Sequence, residues 1–329
     1  MMFRFLLAFS LIASVGLWAT APAAAQEIKI GYWAGGFSRG FCALLKADHF
    51  FERQGLSPEF IPFDNVNGPI KAVLTHSVDA AFAAPVSGTL SLSIDGAPIE
   101  IVLATLIAQE SFVAVAGSPL KSLADLKGKR IGMSSVGSVS YAIVTTVLAH
   151  NYGLRPSDYI AVSGSEDSLL AGLRQGAVDV AFLRAVTLLT TPGGPEMKTI
   201  GTGVAEWRKM TESSGAPIFG VAAVHRAFAH EHPEAVVKFV RAMIEATRFG
   251  SRDPAATAAT LRQALHLDAE KAAAYVRLWP DIYVASLAPD DILTMKEMAA
   301  IFHSSGAIQG KVPDSLYATA PYQEAIAQR

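Results

Sequence analysis

Short apolar runs separated by loops recur along most of the chain, and they alternate with segments whose apolar residues repeat at helical spacing. Apolar runs of about four to eight residues are typical of buried strands, and an apolar repeat every three to four residues is typical of a helix. Alternating strands and helices predict an α/β fold, with a mostly parallel sheet covered on both faces. The predicted strands are 27–32, 56–63, 78–83, 99–106, 131–133, 159–162, 178–183 and 219–224. The predicted helices are 39–54, 68–76, 139–150, 168–175, 233–249, 254–265, 269–278 and 289–303.

One part of this pattern occurs twice. Ile30-Gly31 and the downstream run 78–82 (Val-Asp-Ala-Ala-Phe) recur as Ile131-Gly132 and 178–182 (Val-Asp-Val-Ala-Phe). Both elements shift by about one domain's length, so the chain builds a similar half twice. Two similar halves predict two facing lobes with a cleft between them, and clefts between domains are favoured small-molecule sites.

The repeat sets the expected domain limits. We expect lobe 1 to contain residues 26–112 and 222–329, and lobe 2 to contain residues 113–221. The helical tail after 224 has no third copy of the repeat and is expected to complete lobe 1.

The N-terminus has the layout of a secretory signal peptide. Arg4 supplies a basic start, residues 5–18 are apolar without charge, and Ala23-Ala24-Ala25 supplies small residues for cleavage. A membrane anchor is the alternative, but the apolar run is shorter than the roughly 20 residues that span a bilayer. We therefore expect residues 1–25 to be removed near Ala25, which leaves a soluble, exported protein.

Composition and charge narrow the function classes. The chain has 51% hydrophobic residues and a net charge of −2, which supports apolar cores and gives no basic footprint for nucleic acid. Cys42 is the single cysteine, so no intrachain disulfide is possible. The sequence lacks a Gly-x-Ser-x-Gly elbow, a P-loop and a His-Glu-x-x-His motif. We expect a monomer that is not an enzyme and that has no cofactor or metal.

The candidate binding residues follow from where the strands end. In open α/β sheets, ligands bind beyond the carboxyl ends of the strands. Four such ends are visible, two in each lobe, so closure of the lobes would bring them face to face. The candidate ligand-binding residues at these ends are Trp33, Phe37, Ser38, Pro85, Ser87, Gly88, Ser135, Gly137, Ser138, Ser140, Tyr141 and Arg184.

Serines and aromatic residues are expected to contribute differently. The loops near Ser87 and Ser138 lead into helices, whose N-termini favour anions. Ser at such a position also caps its helix, and the two roles are compatible. Trp33, Phe37 and Tyr141 either wall the cleft or take part in lobe packing.

Arg184 is the strongest single candidate, because it follows the apolar strand 178–183, whereas Ala84 follows the equivalent strand 78–83 of the first copy. A guanidinium there could hold a carboxylate or sulfonate through two parallel hydrogen bonds. The alternatives are a surface arginine or an ion pair at the hinge. Glu110 could meet a ligand amine, but pairing with Arg184 is favoured.

Three stretches resemble one family. Residues 47–56 (ADHFFERQGL), 123–132 (LADLKGKRIG) and 232–239 (HPEAVVKF) are similar to segments of the periplasmic substrate-binding proteins of nitrate, sulfonate and taurine-type ABC transporters, a family that includes thiamine-precursor binders. The resemblance implies a type II periplasmic-binding fold with two α/β lobes, one ligand in the cleft, and a hinge made of two crossings between the lobes, at 109–114 and 217–221. It also implies an ABC permease in the inner membrane, with its ATPase, as partner.

The identity of the ligand is open at this point. The aromatic candidates favour a small organic anion of the sulfonate or carboxylate type over nitrate. Thiamine-pyrimidine binding, or a synthase-like enzyme on the same fold, is the alternative. In those binders an Asn and a His usually follow the Trp of the first loop, whereas residues 34–39 read Ala-Gly-Gly-Phe-Ser-Arg. The synthases use a cysteine-rich motif, whereas this chain has one cysteine. A sensory module without transport is a third possibility.

Overall fold

The computed structural model describes residues 25–107, 109–136, 138–212, 215–304 and 306–327. The expected signal peptide lies outside these residues except for Ala25. The strands are β1 (Gln26–Trp33), β2 (Leu56–Phe63), β3 (Ala80–Pro85), β4 (Ile99–Ile107), β5 (Glu110–Val115), β6 (Arg130–Met133), β7 (Ile160–Ser163), β8 (Val180–Arg184), β9 (Met197–Thr202), β10 (Ile218–His225) and β11 (Tyr283–Ser286). The helices are α1 (Gly36–Ala47), α2 (Gly68–Leu74), α3 (Val86–Ile94), α4 (Val139–Tyr152), α5 (Glu166–Arg174), α6 (Ala185–Thr190), α7 (Gly203–Thr211), α8 (Arg226–Glu231), α9 (Pro233–Arg252), α10 (Pro254–Leu265), α11 (Ala269–Ile282), α12 (Pro289–Ser304) and α13 (Thr319–Ala327).

Two separate sheets carry these strands. Sheet A has the order β11-β4-β10-β3-β1-β2, and sheet B has the order β7-β6-β8-β5-β9. The chain passes from sheet A to sheet B between β4 and β5, and it returns between α7 and β10. We call the part of the chain around sheet A lobe 1 and the part around sheet B lobe 2. The exact domain limits at 112/113 and 221/222 stay predictions.

Both sheets are mixed in their pairing. β1 is parallel to β2 and β3, and β6 is parallel to β7 and β8. β10 is antiparallel to β3 and β4, and β5 is antiparallel to β8 and β9. β5 and β10 are antiparallel because the chain enters each of them directly after it crosses from the other lobe. Each of these strands therefore starts at the end of the sheet where the strands of the repeat finish. The expectation of mostly parallel sheets therefore holds for the strands of the repeat, whereas β5, β10 and the short strand β11, which is antiparallel to β4, run opposite to them.

The sequence repeat corresponds to the same structural unit in both lobes. In each copy the Ile-Gly pair lies in one strand, β1 or β6, and pairs with residues of the parallel strand that contains the Val-Asp run, β3 or β8. The partners are the second and third residues after the Val of that run. The matched pairs are Ile30 with Ala80, Gly31 with Ala81, Ile131 with Val180, and Gly132 with Ala181.

The aspartate of each copy accepts a hydrogen bond from the strand that carries the Ile-Gly pair. The Lys29 amide donates to Asp79 Oδ2 at 2.8 Å, and the Arg130 amide donates to Asp179 Oδ2, also at 2.8 Å. The glycine is required by close packing, because a Cβ at Gly132 would lie 2.9 Å from Leu169 Cδ2. The repeat thus fixes the pairing of β1 with β3 in lobe 1 and of β6 with β8 in lobe 2, and these strands end at the cleft.

Helix α1 is shorter than the helix predicted at 39–54. It begins at Gly36 and ends at Ala47, and the chain then turns through His49, which has a φ of 50°. A 3₁₀ turn at Glu52–Gln54 follows and closes at Gly55, whose φ of 75° suits glycine. The early start brings the first turn of α1 to the cleft.

The tail helices complete lobe 1. Phe239 on α9 stacks on Phe51 with ring centres 5.5 Å apart. The Trp279 indole of α11 donates to the Thr247 carbonyl at 3.0 Å and lies against Gly250, where a side chain would clash. No helix in the described part of the chain is long and apolar enough to cross a membrane.

Candidate functional site

A small pocket lies between the lobes, where β1, β3 and β8 end. We call it the arginine pocket. Lobe 1 and the crossing strands supply most of its wall, and α4 and β8 of lobe 2 supply the rest. It is lined by Trp33, Phe37, Ser38, Val66, Ala83, Pro85, Leu106, Ser138, Val139, Arg184 and Phe219. Its volume is about 20 Å³, which is about the space of one water molecule.

Ser38 carries a buried hydroxyl on this pocket. The residue is 1% exposed, and its Oγ has no hydrogen-bond partner among the described residues. It lies in the first turn of α1, whose N-cap residue Gly35 offers no side-chain cap. Backbone N–H groups in the first turn of a helix lack intrahelical acceptors and carry partial positive charge. This end of the pocket is therefore suited to an anion.

The Arg184 guanidinium is buried between two carboxylates. Its Nε lies 3.3 Å from Glu110 Oε1, and its Nη1 donates to Glu166 Oε1. Thr187 Oγ1 donates to the other oxygen of Glu166. The alternative of a surface arginine is therefore wrong, and the expected pairing with Glu110 is confirmed. The geometry adds Glu166, which the sequence did not indicate.

Glu110 has an unusual protonation equilibrium. Burial raises the pKa of its carboxyl from 4.5 to about 8, although the nearby Arg184 charge lowers it and Glu166 raises it further. Ser140 Oγ donates to Glu110 Oε1 at 2.7 Å. For Arg184, burial lowers the pKa, but the two carboxylates outweigh this effect, so the net pKa is raised. The arginine is therefore a fixed cation, while Glu110 is the group whose charge changes near neutral pH.

Trp33 reaches the arginine across the cleft. Its ring centre lies 4.8 Å from Arg184 Cζ, and that of Phe37 lies 5.7 Å from the same atom. The indole lies over Gly35 and Gly36, where any side chain would collide with the ring, and its Nε1 donates to the Asp64 carbonyl at 3.2 Å. A cation over an aromatic face is attracted by the ring. This contact therefore links the two lobes at the pocket.

The first turn of α1 is held from behind by two tyrosines of the tail. The Tyr283 phenol donates to the Phe37 carbonyl at 2.6 Å and lies 2.7 Å from the Tyr275 hydroxyl. All three residues are buried. The tail thereby fixes the segment that presents Ser38.

Ala83 shows local backbone strain beside the pocket. Its φ is 53°, a left-handed conformation that is uncommon for residues other than glycine. The opposite strand β10 has an irregular register between Val221 and Ala223 at this point. Strain of this kind clusters at functional sites.

A larger cavity adjoins the arginine pocket, and we call it the side chamber. It lies between α2 and α3 of lobe 1 and the start of α4 in lobe 2, and its volume is about 240 Å³. Ser138 lines both cavities. The side chamber is lined by Asn67, Ile70, Lys71, Ser87, Gly88, Ser91, Leu92, Val136, Ser138, Tyr141, Ala142, Ala307 and Ile308.

The structure distributes the residues named from the sequence over these two cavities. Trp33, Phe37, Ser38, Pro85, Ser138 and Arg184 line the arginine pocket, and Ser87, Gly88, Ser138 and Tyr141 line the side chamber. Ser140 lies behind the wall and binds Glu110. Ser135 lines neither cavity, and Gly137 lies outside the described residues. The roles of all twelve candidate residues in ligand binding stay predictions.

The two serines expected to cap helices differ. Ser138 is the N-cap of α4, and its Oγ accepts from the Tyr141 amide at 3.1 Å. Ser87 is not a cap, because α3 begins one residue earlier with Pro85 in the N-cap position. Only Ser138 therefore combines capping with a place on the cleft.

Several cavity residues carry no recognisable signal in the sequence. Glu166 reads as an ordinary acidic residue in the first turn of a helix. Asn67 is the N-cap of the short helix α2 and Lys71 lies on it, after the end of β2, which is not one of the four strand ends chosen from the sequence. Ala307 and Ile308 come from a distant turn of the tail. In the described part of the chain, no group of three or more His, Cys, Asp or Glu residues is placed to hold a metal ion.

Comparison with known proteins gives a family match and related structures. Residues 44–257 match the model of the NMT1/THI5-like family. The taurine-binding periplasmic protein of Escherichia coli strain K12 is 24% identical over 206 residues, which cover 62% of this chain and 61% of that protein. The match therefore spans less than two thirds of the length of that relative.

Two solved structures share the fold. The alkanesulfonate-binding protein of Xanthomonas axonopodis pv. citri, bound to MOPS, has a TM-score of 0.76 and 20% identity, and the match covers 91% of this chain and 100% of that one. The periplasmic aliphatic sulphonate binding protein of Escherichia coli has a TM-score of 0.71 and 18% identity, with 87% and 90% coverage. The two-sheet architecture thus occurs in proteins of known structure that bind sulfonates.

Proposed function

This chain belongs to the NMT1/THI5-like family, and from that membership and the cleft we propose that it is the solute-binding component of an ABC importer. It captures a small organic anion of the sulfonate or carboxylate type between the lobes and delivers it to the permease. The taurine-binding relative and the sulfonate-binding structures support this function by their similarity.

The main support for the proposed anion is that three features lie together at the arginine pocket. These are the unpartnered Ser38 hydroxyl, the first turn of α1 and the Arg184 guanidinium. A guanidinium has five N–H donors, and the two glutamates contact Arg184 through Nε and Nη1. We place the ligand oxyanion between the Nη2 side of the guanidinium and Ser38 Oγ.

The pocket geometry also implies movement. A space of about 20 Å³ is too small for a sulfonate group. Binding therefore requires the lobes to separate at the Trp33–Arg184 contact and to close again around the ligand, as expected for hinge closure. Binding followed by release needs no covalent chemistry, so this function is not that of an enzyme.

We further propose a periplasmic location after removal of the leader near Ala25, with an ABC permease and its ATPase as partners. The word "periplasmic" in the name of the taurine-binding relative supports the location. The protein would bind its ligand as a monomer, without a cofactor and without nucleic acid. A gene pair for a permease and an ATPase beside its own gene would support transport over sensing.

A thermal-shift and calorimetry screen of the purified chain from residue 26 tests the anion assignment. The probes are ethanesulfonate, taurine, propionate, nitrate, choline and a hydroxymethylpyrimidine. We expect a sulfonate or carboxylate to stabilise the protein by about 2.7 kcal/mol at a hundredfold its dissociation constant. Stabilisation by choline or the pyrimidine alone would contradict the proposal, and the pyrimidine result would favour the thiamine-precursor alternative.

Ser38→Ala connects this binding to the pocket. Loss of one hydrogen bond to a charged ligand group is expected to weaken anion binding by about tenfold or more. Ser57→Ala, on the exposed face of β2 in the same lobe, is the matched control and is expected to bind as the parent does. Equal affinity of all three proteins would place the anion elsewhere.

A further inference from the structure

Three buried ionisable groups meet behind the arginine pocket, and their charges do not cancel. The exposed fraction of the side chain is 0% for Glu110, 7% for Arg184 and 10% for Glu166. Both carboxylates lie on the same guanidinium, Glu110 at Nε and Glu166 at Nη1. With both carboxylates ionised, the cluster would have a net charge of −1. A buried charge without a partner is unfavourable, so this cluster favours the binding of one proton.

The contacts assign this proton to Glu110 rather than to Glu166. Glu166 accepts from the guanidinium on one oxygen and from Thr187 on the other, as an ionised carboxylate does. Glu110 lies 3.3 Å from Arg184 Nε, beyond the roughly 2.7–2.9 Å of a strong charge-assisted hydrogen bond. Its other partner is the neutral hydroxyl of Ser140, at 2.7 Å.

The surroundings of Glu110 agree with this assignment. The groups that face its carboxyl are Arg184 of β8, Glu166 of α5 and Ser140 of α4. Burial outweighs the attraction of Arg184 and raises the pKa of Glu110 to about 8. Its charge therefore changes in a range of pH where the ligand classes proposed above stay ionised.

A bound anion would share the guanidinium with Glu110. The oxyanion is proposed to lie at Nη2 of Arg184, and Glu110 lies at Nε of the same planar group. Two negative charges roughly 6 Å apart lower a binding constant by a factor of about 100 at the effective dielectric constant of proteins. Protonation of Glu110 removes this repulsion and leaves Arg184 and Glu166 as a neutral pair.

We infer that the arginine pocket binds its anion with Glu110 protonated, so that binding takes up a proton wherever Glu110 was ionised beforehand. Glu110 is a positioning residue in this respect, because it acts on the ligand through Arg184 and is not part of the pocket wall. A rise in pH that ionises Glu110 favours release of the anion. This inference rests on the proposed function, because it takes the anion to bind at Arg184.

Calorimetric titration with ethanesulfonate at several pH values tests the coupling. The sulfonate stays ionised throughout, so a change in affinity comes from the protein. We expect constant affinity between pH 6 and pH 7, and a loss of about fivefold or more between pH 7 and pH 9. Buffers that are themselves sulfonates are avoided, because they carry the anionic group of the probe.

The proton itself can be counted in the parent protein. Tris and triethanolamine differ in their enthalpy of ionisation, so the difference between the binding enthalpies measured in the two buffers gives the number of protons taken up. We expect about half a proton per ligand at pH 8.5 and nearly none at pH 6.5. This measurement needs no variant and therefore does not depend on how any variant folds.

Glu110→Gln imitates the protonated side chain and keeps an acceptor for Ser140. We expect this variant to bind ethanesulfonate as the parent does at pH 6.5, more tightly than the parent at pH 9, and without proton uptake at either pH. A tighter complex at high pH is a gain that the loss of a merely structural contact would not produce. Glu59→Gln, on the exposed part of β2, is the matched control and should follow the parent at every pH.

The outcomes separate the two proposals. If no sulfonate or carboxylate binds at any pH, the proposed function fails. If ethanesulfonate binds in a manner that depends on Ser38, but with the same affinity at pH 7 and pH 9 and without proton uptake at pH 8.5, the proposed function stands and the coupling to Glu110 is overturned. The coupling is also overturned if Glu110→Gln keeps the pH dependence of the parent, because another group would then bind the proton.

Discussion

At the scale of single residues, the cleft is dominated by one buried cation and the carboxylates around it. Arg184 contacts Glu110 and Glu166, and its guanidinium also lies under Trp33. A buried charge is tolerated only when it is paired and hydrogen-bonded. An anion bound as proposed would therefore meet an arginine that Glu110 and Glu166 already hold in place.

The protonation of Glu110 predicts a pH dependence of stability. Its pKa is about 8 in the folded protein against 4.5 as the ordinary value, so the folded state retains a proton that the unfolded chain releases in between. The stabilisation is fully present below pH 4.5 and is lost as the pH rises to about 8. The free energy of unfolding should fall over this window by up to about 1.4 kcal/mol per pH unit from this group.

Glu110→Gln removes the titrating group and keeps an acceptor for Ser140. Urea unfolding at intervals from pH 5 to pH 8 should show a steeper loss of stability in the parent than in this variant. Glu59→Gln, on the exposed part of β2, is the control and should follow the parent. Parallel curves for the parent and Glu110→Gln would show that Glu110 ionises in the folded state at its ordinary pKa.

At the scale of elements, the Ile-Gly and Val-Asp repeat builds a strand junction in each lobe. The aspartate accepts the amide of the residue before Ile-Gly, and the parallel register is the same in both copies. In lobe 2 a side-chain hydrogen bond is added to this backbone one, since Arg130 Nη2 donates to Asp179 Oδ1 at 2.7 Å. The junction aligns the strands whose ends carry the loops of the cleft.

Asp179→Asn should weaken this junction. Loss of the charge removes the ion pair and weakens the accepted hydrogen bonds, for an expected cost of about 1–2 kcal/mol of unfolding free energy at pH 7. The side-chain hydrogen bond from Arg130 lowers the pKa of Asp179 below 3.8, so this stabilisation is present above pH 4 and is lost as the pH falls further. The difference between parent and variant in urea unfolding should therefore shrink at pH 3.

The exposed Asp95, at the end of α3, provides the matched control. Asp95→Asn should leave the unfolding free energy within about 0.5 kcal/mol of the parent. If Asp179→Asn and Asp95→Asn had the same small effect, the repeated aspartate would not stabilise the junction.

At the scale of the whole molecule, the lobes touch through Trp33 and Arg184 at the place where the ligand is proposed to bind. The chain from residue 26 contains three tryptophans, and two of them, Trp207 and Trp279, are fully buried in the cores. Trp33 alone among these three lies in the cleft. Trp207 on α7 nevertheless contacts Phe302 of the tail helix α12, with ring centres 6.4 Å apart, whereas Trp279 packs on Phe41 and Tyr283 within lobe 1. Movement of the lobes therefore changes the surroundings of Trp33 and of Trp207 and leaves those of Trp279 in place.

Ligand binding should accordingly change the intrinsic fluorescence through Trp33. In Trp33→Phe, we expect calorimetry still to detect anion binding, because Phe keeps an aromatic face, while the ligand-induced fluorescence change becomes smaller and its remainder comes from Trp207, which contacts Phe302 of the other lobe. If the variant bound the anion and kept the full change in fluorescence, the movement would take place near Trp207 or Trp279 rather than at the cleft.

The sequence by itself determined the α/β class, the two-lobed organisation and the strand ends that border the arginine pocket. Hydrophobic periodicity and the repeat are properties of neighbouring residues, so they can be read without knowing the fold. Details that differ from the prediction, such as the limits of the helix at 39–54 and the cap at Ser87, depend on how a segment meets its neighbours. The antiparallel pairing of β5 and β10 depends on it in the same way.

Only the tertiary structure decided what surrounds the predicted residues. Glu166 lies 18 positions before Arg184, yet it is the carboxylate that accepts from Nη1. The side chamber combines Asn67, Tyr141 and Ile308, which are far apart in the chain. The burial that raises the pKa of Glu110 likewise comes from the packing of elements that are far apart in the chain. The contacts of Arg184 with Glu110 and Glu166 arise from packing within lobe 2, and the side chamber arises from the packing of one lobe against the other. No local pattern in the sequence records either set of distances.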